Sequence, residues 1–277
     1  MNTTEPVFIL GTGRSGTFQM VKLLEGIDGI EAHHEYLFEN ILKSAILYRM
    51  GIIDKNSVKQ LLTTTHVPAV HYSSARIWLD SSNALPWIVH PLHELFPGAR
   101  FIHLLRDGRK VVSSFYNKFK DVMYDDLSVS ILNTWLANPS RAIEPSPEKK
   151  FWRPLPIQGS KFSEEFKTFN RFQRLCYYWQ DCNFFIKEAL AAIPSDQQLT
   201  VRLEDLVSRP DILESFLAIF SLSYDDVYMN QLKRPVNVHI PKNFPLSSVQ
   251  NNQFNCIAAP AMNAFGYDLM EEYCVSY

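Results

Sequence analysis

The seven residues from Gly11 to Thr17 are suited to binding an anion. Glycines at positions 11, 13 and 16 permit tight turns in which backbone N–H groups converge on one oxyanion. Arg14 adds a planar cation with several donors, and Ser15 and Thr17 add hydroxyl groups. An apolar run at Val7–Leu10 precedes the loop and a helical pattern follows it, so the loop leads from a buried strand to a helix N-terminus. The sequence therefore predicts a polyanion site at this loop.

The loop departs from the nucleotide-kinase pattern GxxxxGK followed by Ser or Thr. Gly11 and Gly16 fit that pattern, but Thr17 stands where the lysine should be. Because that lysine reaches the β- and γ-phosphates, its replacement favours a polyanion without a γ-phosphate.

A second basic turn follows another apolar run. Arg106 stands at the predicted strand end, Asp107 can cap the next helix, and Ser114 lies about two turns into that helix. A phosphate held between Arg106 and Ser114 would contact one cation and one hydroxyl.

The segment FILGTGRSGT, at positions 8–17, closely resembles the 5′-phosphosulfate loop of sulfotransferases that use 3′-phosphoadenosine 5′-phosphosulfate (PAPS). The resemblance implies that Arg14, Ser15, Gly16 and Thr17 contact the 5′-phosphate and the transferring sulfonate. Many relatives carry a second hydroxyl residue next, and Phe18 stands there instead. The motifs resemble the Golgi-type and bacterial members more than the cytosolic ones.

Arg106 and Ser114 have the spacing of the same family's 3′-phosphate motif. Lys242 resembles a late basic residue that helps to hold this phosphate, although an ordinary loop lysine explains it equally well. Two anion sites suit a nucleotide with 3′- and 5′-phosphates, so PAPS is the expected donor and 3′-phosphoadenosine 5′-phosphate (PAP) the expected product. The resemblance implies a sulfotransferase that moves the sulfonate to a hydroxyl or an amine by in-line displacement.

Transfer to such an acceptor needs a base for its proton. Glu35 is the first candidate, since several family members have a catalytic Glu after the second strand; His34 and His33 are the alternatives. Arg14 would offset charge on the transferring group. Asp80 and Ser82 end the third strand, where many relatives have a basic residue.

Strands and helices that alternate along the chain must position these residues. Apolar runs predict strands, with helical patterns between them at 85–96, 111–119 and 169–193. The predicted strands are residues 7–10, 30–35, 75–80, 101–105 and 199–203. The fold class is α/β: a P-loop-like three-layer fold with a central, mostly parallel sheet flanked by helices, forming a single domain over residues 1–277.

Two stretches interrupt this alternation. Prolines crowd residues 138–160, a segment predicted to be either a surface excursion or an insertion that forms a lid or a substrate wall. The tail from Pro235 is predicted to be loop-rich, with Pro260 in it, until a short final helix.

Composition excludes several classes of function. The net charge of −2 over 277 residues gives no reason to expect nucleic acid as a partner. The sequence shows no CxxC pair, and a metal is not expected. It shows no signal-peptide pattern and no membrane-spanning apolar run, so a cytoplasmic location is expected. The acceptor, whether a small molecule, glycan or lipid, and the oligomeric state are left open.

Two other functions remain as alternatives. One is a P-loop-type nucleotide or small-molecule kinase, which the missing lysine disfavours. The other is a non-catalytic nucleotide-binding protein that keeps the anion loop and lacks a working base.

Overall fold

The fold is built on a five-stranded, all-parallel sheet. A computed structural model describes residues 4–119, 123–234 and 245–267. Its strands are β1 (Glu5–Leu10), β2 (Ile30–His34), β3 (Ile77–Ser82), β4 (Arg100–Leu105) and β5 (Gln198–Arg202). They lie in the order β2-β3-β1-β4-β5. All five predicted strands are confirmed, with ends displaced by one or two residues.

Helices connect and cover these strands. They are α1 (Thr17–Leu24), α2 (Phe38–Arg49), α3 (Lys55–Thr64), α4 (His66–Tyr72), α5 (Val89–Leu95), α6 (Gly108–Lys118), α7 (Asp126–Ala137), α8 (Arg171–Leu190), α9 (Leu203–Leu206), α10 (Pro210–Ala218), α11 (Asp226–Leu232) and α12 (Ser248–Ala264). In the part of the chain that the structure describes, none of them is long and apolar enough to cross a membrane.

Alternate strand residues face two separate cores, because successive side chains of a strand point to opposite faces. Phe8 and Leu10 pack with the core that includes α2, α6, α8 and α12. Val7 and Ile9 pack with the core that includes α1, α10 and α11. The predicted three-layer α/β fold is thereby confirmed.

The prediction of a loop-rich tail with a short final helix was wrong for residues 248–264, which form the long helix α12. Ser247 and Gln250 form a capping box at its start. Phe254, Ile257 and Ala261 are buried against the rest of the core. Pro260 lies inside this helix, so tertiary packing outweighs its tendency to end a helix.

The start of α6 shows how closely the elements that position the site are packed. Asp107 caps the helix as predicted, since its carboxylate accepts a hydrogen bond from the Arg109 N–H at 2.8 Å. A Cβ on Gly108 would lie 2.7 Å from the Trp179 ring and 2.8 Å from the Phe254 ring. Both rings are fully buried, so neither can move aside easily.

Gly108→Ala is therefore expected to lower the free energy of unfolding by about 1–3 kcal/mol, the usual cost of overpacking. Chemical denaturation measures this loss. Gly98→Ala is the matched control, because a Cβ on Gly98 would meet nothing within 4 Å. Equal stabilities of the two variants would contradict the close packing at Gly108.

Candidate active site

The predicted site residues gather at the carboxyl edge of the sheet. The loop 11–16 follows β1, Glu35 follows β2 and Arg106 follows β4. Asn83, which was not predicted, follows β3. Parallel strands bring these ends together, and ligands of such sheets bind at this edge.

The glycines of the predicted donor loop, residues 11–16 and called the donor loop below, are closely packed. A Cβ on Gly13 would lie 2.7 Å from the Phe115 ring, and one on Gly11 would lie 2.8 Å from the Leu104 carbonyl oxygen. Gly16, the residue before α1, has a φ of 108°, which favours glycine. The Ser15 hydroxyl donates to the Thr12 carbonyl oxygen at 2.6 Å, so it also closes the turn.

Arg14, Arg106 and Ser114 meet in one cluster. The Arg14 Nε donates to the Ser114 Oγ at 2.9 Å, and the Arg106 guanidinium donates to the Arg14 carbonyl oxygen at 2.9 Å. The Trp179 indole N–H in turn donates to the Arg106 carbonyl oxygen at 3.2 Å. The two sequence motifs therefore form one continuous surface.

Further positive charge lies beside this cluster. Lys118, the last residue of α6, has a pKa below its ordinary value, first because it is partly desolvated and then because the cations Arg14 and Lys149 lie near it. Like charges gathered at one place repel each other, and a bound polyanion would relieve that repulsion.

Glu35 holds two hydrogen-bond donors. Its Oε1 accepts from the Asn83 side-chain amide at 2.6 Å, and its Oε2 accepts from the Lys149 ammonium at 2.7 Å. The Glu35 side chain is 14% exposed and the Lys149 side chain 53% exposed, so the pair is open to solvent on the lysine side. Lys149 also lies 4.2 Å from the centre of the Phe38 ring.

Asp80 supports the turn that presents Glu35. Glu35 and Leu37 have φ values of 58° and 46°, an unusual conformation for residues with a Cβ. The Tyr36 N–H donates to Asp80 Oδ1 at 3.1 Å, and His66 Nε2 lies 3.5 Å from Asp80 Oδ2. Asp80 and His66 are completely buried, so this carboxylate fixes the turn from inside the protein.

His34 adjoins the donor loop. Its Nε2 lies 3.4 Å from the Thr17 hydroxyl oxygen, and its ring packs edge-on against Phe18 at 5.1 Å. Burial lowers the pKa of His34, although the carboxylates of Glu35 and Asp80 oppose this shift. Phe18, the departure from the family pattern, thus packs against a candidate base. His33 instead pairs with Glu31 at 2.9 Å.

Sequence reasoning missed three side chains of this site: Asn83, Lys149 and Arg153. Lys149 and Arg153 belong to the proline-rich segment, whose possible role as a substrate wall was predicted without naming any residue. The Arg153 guanidinium donates to the Asn83 Oδ1 at 3.4 Å. The basic residues in 138–160 could have indicated a contact with an anion. That stretch has no helical or strand periodicity, however, from which the direction of each side chain could be predicted. Lys242 lies outside the described residues.

The described residues hold no group of three or more His, Cys, Asp or Glu side chains arranged for a metal ion. Tyr178 and Trp179, two adjacent aromatic residues of α8, are buried in the core.

Part of the chain is similar in sequence to a known family. A family model for the sulfotransferase family matches residues 49–145, about a third of the chain. This stretch contains Arg106 and Ser114 but not the donor loop. No curated protein matches the sequence.

Solved structures extend the likeness to most of the chain. The sulfotransferase domain of the Synechococcus PCC 7002 olefin synthase has a TM-score of 0.52 at 16% identity, over 97% of each chain. The sulfotransferase domain from the curacin biosynthetic pathway has a TM-score of 0.50 at 15% identity, over 97% of this chain and 99% of that one. A Mycobacterium avium sulfotransferase has a TM-score of 0.50 at 11% identity, over 97% of this chain and 78% of that one. At these identities the likeness shows the fold, and with the matching sequence stretch it confirms the resemblance to the sulfotransferase family.

Proposed function

We propose that this protein, which resembles the sulfotransferase family and has its fold, transfers a sulfonate group from PAPS to a hydroxyl or an amine. The observation that carries the proposal is the meeting of Arg14, Arg106 and Ser114 beside Glu35 at the carboxyl edge of the sheet. A nucleotide with phosphates at both ends of its ribose matches a site that joins two basic motifs.

In this proposal the donor lies across the two motifs. The 5′-phosphosulfate binds the loop at Ser15, Gly16 and Thr17, where the backbone N–H groups of Gly16 and Thr17 begin the helix N-terminus of α1. The 3′-phosphate binds Arg106 and Ser114, and Lys242 is a further proposed contact. Arg14 lies between the two ends, so its guanidinium can stabilise charge at either one.

The reaction is an in-line displacement at sulfur. The acceptor oxygen or nitrogen forms a bond to sulfur while the bond from sulfur to the 5′-phosphate oxygen breaks, and PAP leaves with that electron pair. The acceptor proton passes to Glu35, or to His34 as the alternative. Arg14 and its neighbouring cations offset the negative charge that grows on the leaving phosphate. Positioning and fixed charge supply most of the rate, as in phosphoryl transfer.

Lys149 sets a condition on this base. The Lys149 ammonium contacts Glu35 Oε2. An acceptor that gives its proton to this oxygen must either displace Lys149 or approach the oxygen beside the lysine. Lys149 is half exposed, and such an ion pair is weak, so displacement costs little.

The acceptor in this proposal is a small molecule, a glycan or a lipid. The chain acts as one domain, in which residues 138–160 form an insertion.

Calorimetry separates this function from its alternatives. PAP is expected to bind with a Kd in the micromolar range or below, and ATP with magnesium is expected to bind at least tenfold more weakly. Incubation with PAPS labelled in the sulfonate group, over a panel of alcohols, phenols, sugars and amines, should then give a labelled acceptor. Tighter binding of ATP would indicate a kinase, and PAP binding without transfer to any acceptor would indicate a non-catalytic nucleotide-binding protein.

A further inference from the structure

The proline-rich segment places a buried cation at the edge of the donor site. Arg153 is 5% exposed. Among the residues that the structure describes, its guanidinium has two hydrogen-bond contacts, both long: the Asn83 Oδ1 at 3.4 Å and the Met123 sulfur at 3.8 Å. Its Nε is buried with no hydrogen-bond partner among the described residues, and none of their carboxylates forms an ion pair with it.

Two neighbours locate this cation beside the tip of the donor loop. Asn83 lies between Arg153 and Glu35, accepting a hydrogen bond from one and donating one to the other. The Asn83 amide nitrogen is also 3.5 Å from the position that a Cβ on Gly13 would occupy. The Arg153 guanidinium further lies 5.9 Å from the centre of the Tyr178 ring. The cation therefore lies on the side of the loop that faces the candidate base.

A charge in this position is costly unless an anion joins it. Desolvation of a guanidinium is offset by close, well-oriented acceptors, and the contacts to Asn83 and Met123 are long. The surrounding core, with Trp152 fully buried next to Arg153 in the chain, holds the side chain in place. A tetrahedral oxyanion bound beside Gly13 and the Asn83 amide would supply closer acceptors for the guanidinium.

We infer that Arg153 binds the sulfonate end of the donor, so that the insertion completes the site of transfer. This inference rests on the proposed function and adds a residue to it. The sulfonate oxygens accept from the Arg153 guanidinium, and Asn83, which is hydrogen-bonded to both side chains, holds that guanidinium and Glu35 in place beside the transferring group. An anionic group on the acceptor has the same chemistry, and a binding experiment without acceptor separates the two sources.

The test compares two ligands that differ only in the sulfonate. The affinities of PAPS and PAP are measured without acceptor for the wild type and for Arg153→Gln. We expect the variant to bind PAPS at least tenfold more weakly and PAP less than threefold more weakly, because a charge-assisted hydrogen bond is lost only with PAPS. Arg141→Gln is the matched control, since Arg141 is an exposed arginine of the same segment.

If Arg153→Gln does not fold, Arg153→Met replaces it, because methionine fills the buried volume without a charge. Retained PAP binding shows that the variant used is folded. Equal weakening of both ligands, or unchanged PAPS binding, would overturn the inference and assign Arg153 to packing or to the acceptor. The proposed function fails separately, in the wild type, if neither ligand binds.

Discussion

Glu35→Gln is expected to lower kcat by about 100- to 10,000-fold while PAP affinity stays within about threefold of the wild type, the usual size of a general-base contribution. Glutamine keeps the shape of the side chain and can still accept a hydrogen bond from Asn83, but it cannot take a proton from the acceptor. The loss of the ion pair to the half-exposed Lys149 changes stability little. Initial rates of sulfonate transfer and calorimetry with PAP measure the two effects.

Glu39→Gln is the matched control for this prediction, because Glu39 is an exposed carboxylate on α2, four residues further on. It should keep wild-type turnover. If Glu35→Gln also keeps it, Glu35 is not the base, and His34→Gln becomes the variant to measure.

Arg14→Ala is expected to abolish measurable transfer, with a loss in kcat/KM of about 1,000-fold or more, because in the proposed binding mode one guanidinium serves both ends of the donor. PAP binding should weaken about 10- to 100-fold, corresponding to one strong charge-assisted contact. The fold should survive: Arg14 is partly exposed, and alanine tolerates its φ of 68° no worse than arginine does.

The controls for Arg14 separate charge from shape. Arg14→Lys keeps the charge without the planar donor array and should recover part of the PAP affinity. Arg141→Ala, in an exposed position, should behave as the wild type. Wild-type PAP affinity in Arg14→Ala would remove this residue from the donor site.

Much of the fold could be predicted because its signals are local. Each strand is a short apolar run, and the candidate site residues follow β1, β2 and β4. Parallel strands bring their carboxyl ends to one edge whatever the details of packing, so Arg14, Glu35 and Arg106 could be placed near each other. The roles of these residues as donor and base contacts stay predictions.

The rest depended on contacts between residues distant in sequence. Lys149 and Arg153 reach Glu35 and Asn83 from a segment with no periodicity, so no pattern could assign them a direction. The burial of Asp80 beside His66 could not be predicted either, because a carboxylate at a strand end can equally well bind a ligand or support a turn. The long helix α12, which contains Pro260, was not predicted for the same reason, because its packing against α8 depends on residues outside α12.

The hydrogen-bonded series from Arg153 through Asn83 and Glu35 to Lys149 begins and ends in the same segment, outside the sheet. The strand edge carries the motifs that we propose bind the donor, and the inserted segment contacts the proposed base, Glu35, through Lys149. If the two proposals hold, sequence change in residues 138–160 other than Arg153 would alter which acceptors gain entry and leave the donor contacts intact. In an enzyme of the proposed kind, this separation would let related chains acquire new acceptors without rebuilding the site for the cosubstrate.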